Sequence, residues 1–135
     1  MGALVNSIGK GLMSIALTGV TATSNGGIGA VINQEGVDVL ITRCFLHVGT
    51  ASTGAANLSC GIGATATTSS TDIISGLAVN GVSGNYYNGQ AQQVTAKTQV
   101  SAPATWSAGK YIVFTGSADT TGLVGTLFVE YLRTA

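Results

Sequence analysis

The sequence predicts an all-β fold: a single antiparallel β-sandwich or barrel of about eight strands, with an extended N-terminal arm and at most one short helix. Three observations predict it. Short segments alternate in hydrophobicity with period two, and turn clusters of Gly, Asn, Ser and Thr interrupt them roughly every 8–12 residues. No stretch keeps a helical period beyond one or two turns. At 135 residues the chain suits one domain with a real core, an arm over 1–12 preceding a sandwich over 13–135. No repeat of roughly 20–50 residues is visible, which excludes solenoids and propellers.

Residues 1–12 are apolar (Leu4, Val5, Ile8) but broken by Gly9 and Gly11. Each interior glycine costs a helix about 1 kcal/mol relative to Ala, so the segment reads as an arm that orders against something else, such as a neighbouring subunit. Leu12 to Val20 also resembles the apolar region of a signal peptide, with Val20-Thr21-Ala22 as a weak cleavage site. Lys10 alone would supply its basic region, so an uncleaved arm leading into a strand is expected. The myristoylation pattern fails at Asn6.

Met13, Ile15 and Leu17 then share one face of a first strand, and Thr21–Gly27 reads as a turn. A short strand is expected over Ile28–Asn33. Val37–Val48 carries the longest strand signal: Leu40, Cys44, Leu46 and Val48 fall on one face with Thr42, and Val39, Ile41, Arg43, Phe45 and His47 on the other. Bulky apolar residues on both faces predict a strand covered on both sides. Asn57–Ala64 follows, with Leu58, Cys60 and Ile62 on one face and Ser59, Gly61 and Gly63 on the other. The Ser/Thr run of 65–71 continues that strand or loops away. Asp72–Val79 is the helix candidate, capped by Asp72 and striped by Ile73, Ile74 and Leu77. Asn80–Gly89 reads as a polar loop presenting Tyr86 and Tyr87, either as a binding feature or folded back over a sheet edge. Gln93–Val100 alternates, Pro103 marks an edge or strand start, and Trp106 precedes a turn. Lys110–Gly116 and Val124–Leu132 form the closing pair, with Leu127, Val129 and Tyr131 on one face of the last strand and Thr126, Phe128, Glu130 and Leu132 on the other.

Charge is scarce. Five basic and five acidic residues make 7% of the chain, against 45% hydrophobic and 20 glycines, where a soluble domain is about a quarter charged. Such a surface suits a protein that works inside an assembly. The basic residues are scattered, so binding of nucleic acid through phosphates is not expected, nor is a polybasic membrane mode. No apolar run reaches the roughly 18 residues of a membrane span.

Catalytic groupings are as sparse. His47 is the only histidine and lies mid-strand beside Arg43 and Phe45 rather than an acid, which does not make a nucleophile–histidine–acid site. One histidine and two cysteines do not make a usual zinc shell, and the five acids show no paired spacing. Gly61-Ile62-Gly63 and Gly26–Gly29 lack the lysine and helix of a phosphate loop. No enzymatic activity, metal or cofactor is expected. Cys44 and Cys60 read either as buried free thiols acting as small hydrophobes or as a bridge, which would require an oxidising compartment.

From Val37 to Leu132 the chain resembles the small jelly-roll decoration (cement) proteins of tailed-bacteriophage capsids. The likeness rests on the 40–48 strand, on Gly61-Ile62-Gly63-Ala64, and above all on the 108–116 and 122–131 pair. The resemblance implies a jelly roll, trimers on the exterior of a virion, contacts with a major capsid protein through loops or the arm, and no catalysis. The residues expected at subunit or capsid contacts are Leu4, Val5, Ile8, Ile41, Arg43, Phe45, His47, Tyr86, Tyr87, Phe128 and Glu130. The other readings are a receptor- or glycan-binding module of a fibre or pilus, favoured by Tyr86 and Tyr87, and a self-assembling coat protein.

Overall fold

The computed structural model describes residues 9–21, 24–68, 70–80, 84–87, 90–91, 99–100 and 104–134, with the backbone alone at 24–27, 84–87, 90–91, 99–100 and 104. The elements are β1 (Lys10–Thr18), β2 (Ser24–Ile32), β3 (Val39–Thr50), β4 (Asn57–Gly63), β5 (Ile74–Ala78), β6 (Gly84–Tyr87), β7 (Gln90–Ala91), β8 (Gln99–Val100), β9 (Ala104–Trp106), β10 (Tyr111–Gly116) and β11 (Val124–Arg133). They form two sheets. The first has the order β1-β11-β3-β6, with β9 also on β3, and the second the order β2-β10-β4-β5-β8-β7. Every strand pairing is antiparallel. The first and last strands pair in one sheet and their neighbours β2 and β10 pair in the other, which is the rolled-up order of a jelly roll. The all-β sandwich expected from the sequence is therefore the fold.

The core lies between the sheets. Ile15, Leu17, Ile41, Leu46, Leu58, Ile74, Leu77, Ile112, Phe114, Leu127 and Val129 meet there, each buried. Trp106 closes one end. Its indole Nε1–H donates to the Lys110 carbonyl at 2.9 Å, and the buried Asn33 amide donates to the Trp106 carbonyl at 2.8 Å. These two buried polar groups are satisfied rather than stranded, as a dry core requires. Cys44 and Cys60 are both buried and are not joined by a disulfide. Burial pushes the Cys44 thiol up to about 12 and raises Cys60 well above its usual range, so both stay as thiols, inert small hydrophobes.

Two β-bulges account for two departures from the sequence reading. Between Arg43↔Glu130 and Ile41↔Tyr131, β3 advances two residues while β11 advances one. Thr42 is the additional residue, and its hydroxyl donates to the Glu130 carbonyl (3.1 Å) and carboxylate (3.0 Å). The bulge reverses the pleat. Val39 and Ile41 thus face the same core as Cys44 and Leu46, all of them without exposure. The strand is not apolar on two faces; it changes which parity points inward.

The helix expected over Asp72–Val79 is instead the approach to β5 and the strand itself. Its ladder with β4 runs Leu58↔Leu77 and then Cys60↔Ile74, three residues against two. Gly76, at φ 68°, takes the left-handed conformation that the extra residue demands, and its N–H donates to the Ser59 hydroxyl at 3.2 Å. Ile74 and Leu77 both point inward although three apart, the spacing of a helical stripe produced by a bulge.

Three boundaries also move. β2 begins at Ser24, within the expected turn, and β1 begins at Lys10, within the expected arm. Tyr86 and Tyr87 lie in β6, whose backbone pairs them with Leu46 and Phe45 of β3, rather than in a loop. Of the strand expected over Gln93–Val100, residues 99–100 form β8, and residues 93–98 and Pro103 fall outside the described residues.

Candidate interaction face

The two sheets present different outer faces. On the second, Val113 points away from the core between the inward Ile112 and Phe114, yet it has no exposure. Its register partner in β4 is Gly61. The chain between β4 and β5 folds back there, with Ser70 standing over Gly61 and Thr68 over Gly63: a Cβ at Gly61 would lie 2.7 Å from the Asp72 amide nitrogen, and one at Gly63 would lie 2.7 Å from Thr68 Cβ. Asp72 fastens this segment by accepting from the Ile62 N–H (3.2 Å) and the Ser70 hydroxyl (2.7 Å).

The first sheet has no such cover among the described residues. Among the residues whose side chains are described, the exposed large hydrophobic ones are Leu12 (73%), Val124 (51%), Phe128 (38%) and Leu132 (38%), all on the outer face of β1 and β11. Register places them in rows across three strands: Lys10, Leu132 and Leu40; Leu12, Glu130 and Arg43; Ser14, Phe128 and Phe45; Ala16, Thr126 and His47; Thr18, Val124 and Thr50. Phe128 and Phe45 form a cross-strand aromatic pair in the middle, a stabilising arrangement on a sheet surface. Exposure gathered on one sheet face makes it the candidate interaction surface, whereas single exposed apolar residues carry no meaning.

The charges sit beside that centre. Glu130 lies between Lys10 (3.7 Å) and Arg43 (3.9 Å), and the Arg43 guanidinium stands 5.7 Å from the centroid of Phe45. Both cations are more than half exposed, so the pairs orient side chains rather than supply much stability.

Of the residues expected at contacts, Arg43, Phe45, His47, Phe128 and Glu130 come together on this face. Ile41 does not: the bulge at Thr42 turns it into the core, where it has no exposure. Tyr86 and Tyr87 are placed only by their register on β3, and Leu4, Val5 and Ile8 lie outside the described residues. Leu12, Val124 and Leu132 complete the face and were not singled out. Their signal was period two alone, since each shares the parity of Phe128 or of its cross-strand neighbours.

A second cluster stands at the end of the first sheet. Arg133 donates through Nε to Glu35 Oε1 (2.7 Å) and through Nη2 to Oε2 (3.2 Å), while the Tyr131 hydroxyl donates to Oε2 (2.5 Å). The Arg133 guanidinium, followed by the Tyr131 hydroxyl, holds the Glu35 carboxyl below its ordinary range. Burial first, and then the bond to Glu35, raises Tyr131. Glu35 lies between β2 and β3, so the cluster ties the crossover between the sheets to the last strand. Tyr131 also explains Gly11: a Cβ there would overlap its ring. Among the described residues, no three of His, Cys, Asp and Glu are grouped as a metal site would need.

No protein-family model matches the chain, and no curated protein sequence matches it. Among solved structures, the chain is similar to one from the acidic stable capsid structure of Helicobacter pylori bacteriophage KHP30. The superposition has a TM-score of 0.53 at 14% identity and covers 95% of this chain and 94% of that one. At that identity the likeness is one of fold, extending over almost the whole of two chains of similar length.

Proposed function

We propose that the chain is a non-enzymatic structural protein of a virus particle that binds the outside of a capsid as a homo-oligomer, a trimer by the family resemblance, and stabilises it. One observation carries this reading: the exposed bulky apolar residues described in the molecule converge on a single sheet face, with the Lys10–Glu130–Arg43 charges beside the aromatic pair and not at it. Obligate assembly surfaces are apolar and depleted in charge at their centre in this way. The end-to-end likeness in fold to a chain of a phage capsid structure supports a place in the virion, and the major capsid protein is then the partner. The same likeness favours a second reading, in which the chain forms the shell itself.

Native mass of the purified protein, with co-sedimentation against particles lacking it, tests both. An oligomer of a few copies that binds preformed particles is the expected result. Closed shells formed by the protein alone would establish the second reading in its place. A monomer that does not sediment with particles would overturn both.

A further inference from the structure

We infer that residues 1–8 of one copy lie on the outer face of the first sheet of an adjoining copy, so that the oligomer is held by exchanged N-terminal arms. The inference rests on reading that face as the assembly surface. The centre of the face calls for an apolar occupant, because it is the Phe45–Phe128 pair with Leu12 and Leu132 exposed around it, while Lys10, Glu130 and Arg43 already neutralise one another in part beside it. Residues 1–8 contain Met1, Leu4, Val5 and Ile8 and no Asp, Glu, Lys or Arg.

The arm starts at the margin of the same face. β1 is an edge strand, and its ladder with β11 continues to Gly9, whose carbonyl accepts the Arg133 N–H at 3.0 Å. Arg133 is gripped by Glu35 and lies across Gly9, where a Cβ would stand 3.3 Å from its Cζ. The chain is thereby held in line with β1 up to Gly9. A chain continuing that line would pass the end of the sheet beside Lys10 and Leu132, away from the aromatic pair of its own copy. Reach is ample: an extended arm of this length spans about 26 Å, and crossing from β1 to β3 takes about 10 Å. The line of β1 at Gly9 runs off the parent sheet and so favours a neighbour.

Two singly defective proteins test this. One is the chain shortened to 9–135, which keeps the face and lacks the arm; the other is full-length Phe128→Asp, which keeps the arm and spoils the face. Circular dichroism and thermal unfolding of each establish that both fold, and Leu12→Asp, at a position 73% exposed, stands in should Phe128→Asp misfold. Native mass is then read for each protein alone and for their mixture. The expected result is an oligomeric parent, two monomeric variants, and a one-to-one heterodimer on mixing, with the arm of one seated on the face of the other. Two monomers that fail to pair would overturn exchange, because the arm would then act within its own copy. A shortened chain that keeps the parent mass while the Phe128 variant does not would also overturn it, leaving the face as the assembly surface with another occupant. Parent mass retained by both would overturn the role of the face itself.

Discussion

Val113 and Phe128 both point away from the core from the middle of a strand, but Val113 has no exposure and Phe128 is 38% exposed. The second sheet buries its outer face with its own chain. Gly61 and Gly63 omit side chains so that Ser70 and Thr68 can come close, and Asp72 fastens the turn above them. The first sheet instead sets two phenylalanines opposite each other and leaves Leu12, Val124 and Leu132 around them. A sheet face that is covered from within needs small residues under its cover. The open face keeps large ones. Outward positions thus serve folding on the second sheet, while on the first they stay open to solvent.

The sharpest way to break this comparison is to place the same charge at both positions. Val113→Asp introduces an uncompensated carboxylate where there is no solvent, and should cost about 3–5 kcal/mol of folding stability. Phe128→Asp should alter folding by about 1 kcal/mol or less, but weaken association by roughly 30-fold or more, the effect of losing an aromatic anchor. Chemical denaturation and sedimentation read the two quantities separately. Comparable losses of folding stability in both variants would mean that the two faces are not different in kind.

The cover itself can be lifted. Gly61→Val sets a branched side chain against Ser70 and the Asp72 backbone, where even a Cβ is 2.7 Å from a backbone nitrogen. Overpacking of this kind should cost about 1–3 kcal/mol and leave the parent oligomer mass unchanged when measured below the unfolding transition. A variant with unchanged unfolding but lower mass would place the assembly surface on the second sheet.

Salt should separate the faces less. Association through Phe45 and Phe128 draws on apolar burial at about 25 cal/mol per Å², and the Lys10–Glu130–Arg43 contacts beside them are solvated. Raising sodium chloride from about 0.1 to 1 M screens such pairs almost completely and should change the dissociation constant by no more than a few-fold. Dissociation in moderate salt would make the charged margin, and not the aromatic centre, the source of affinity.

Period two was sufficient to find the sandwich, its core strands and most of the open face, because alternation survives wherever a strand is regular. It failed where a bulge changed parity. Thr42 made β3 look apolar on both faces and sent Ile41 to the wrong one, and Gly76 gave β5 the spacing of a helix. In both places a single inserted residue changes what the pattern means, and the ladder partner that reveals it is far away in sequence: Glu130 for Thr42, and Ser59 for Gly76. The sealed face was legible only in part. Glycines at 61 and 63 announced an empty side of β4, but not that residues 68–72 would fill it.

The smallest effect belongs to the link between the sheets. Glu35 lies in the β2–β3 crossover, on neither outer face, and is held by Arg133 and Tyr131. Its pKa is lowered from 4.5 in the folded protein. The unfolded chain therefore binds this proton more readily, so the link contributes stability that is complete above the unfolded value and is lost as pH falls through the folded one. Urea midpoints of the parent and Glu35→Gln should differ by a constant amount from about pH 7 to about pH 5 and converge as acid protonates the carboxyl. Oligomer mass over the upper part of that range should be the same for both, since neither face has been touched. A gap that already closes near neutral pH would show that a group other than Glu35 governs the link. If the mass fell with Glu35→Gln at neutral pH, the crossover would have to be joined to the open face.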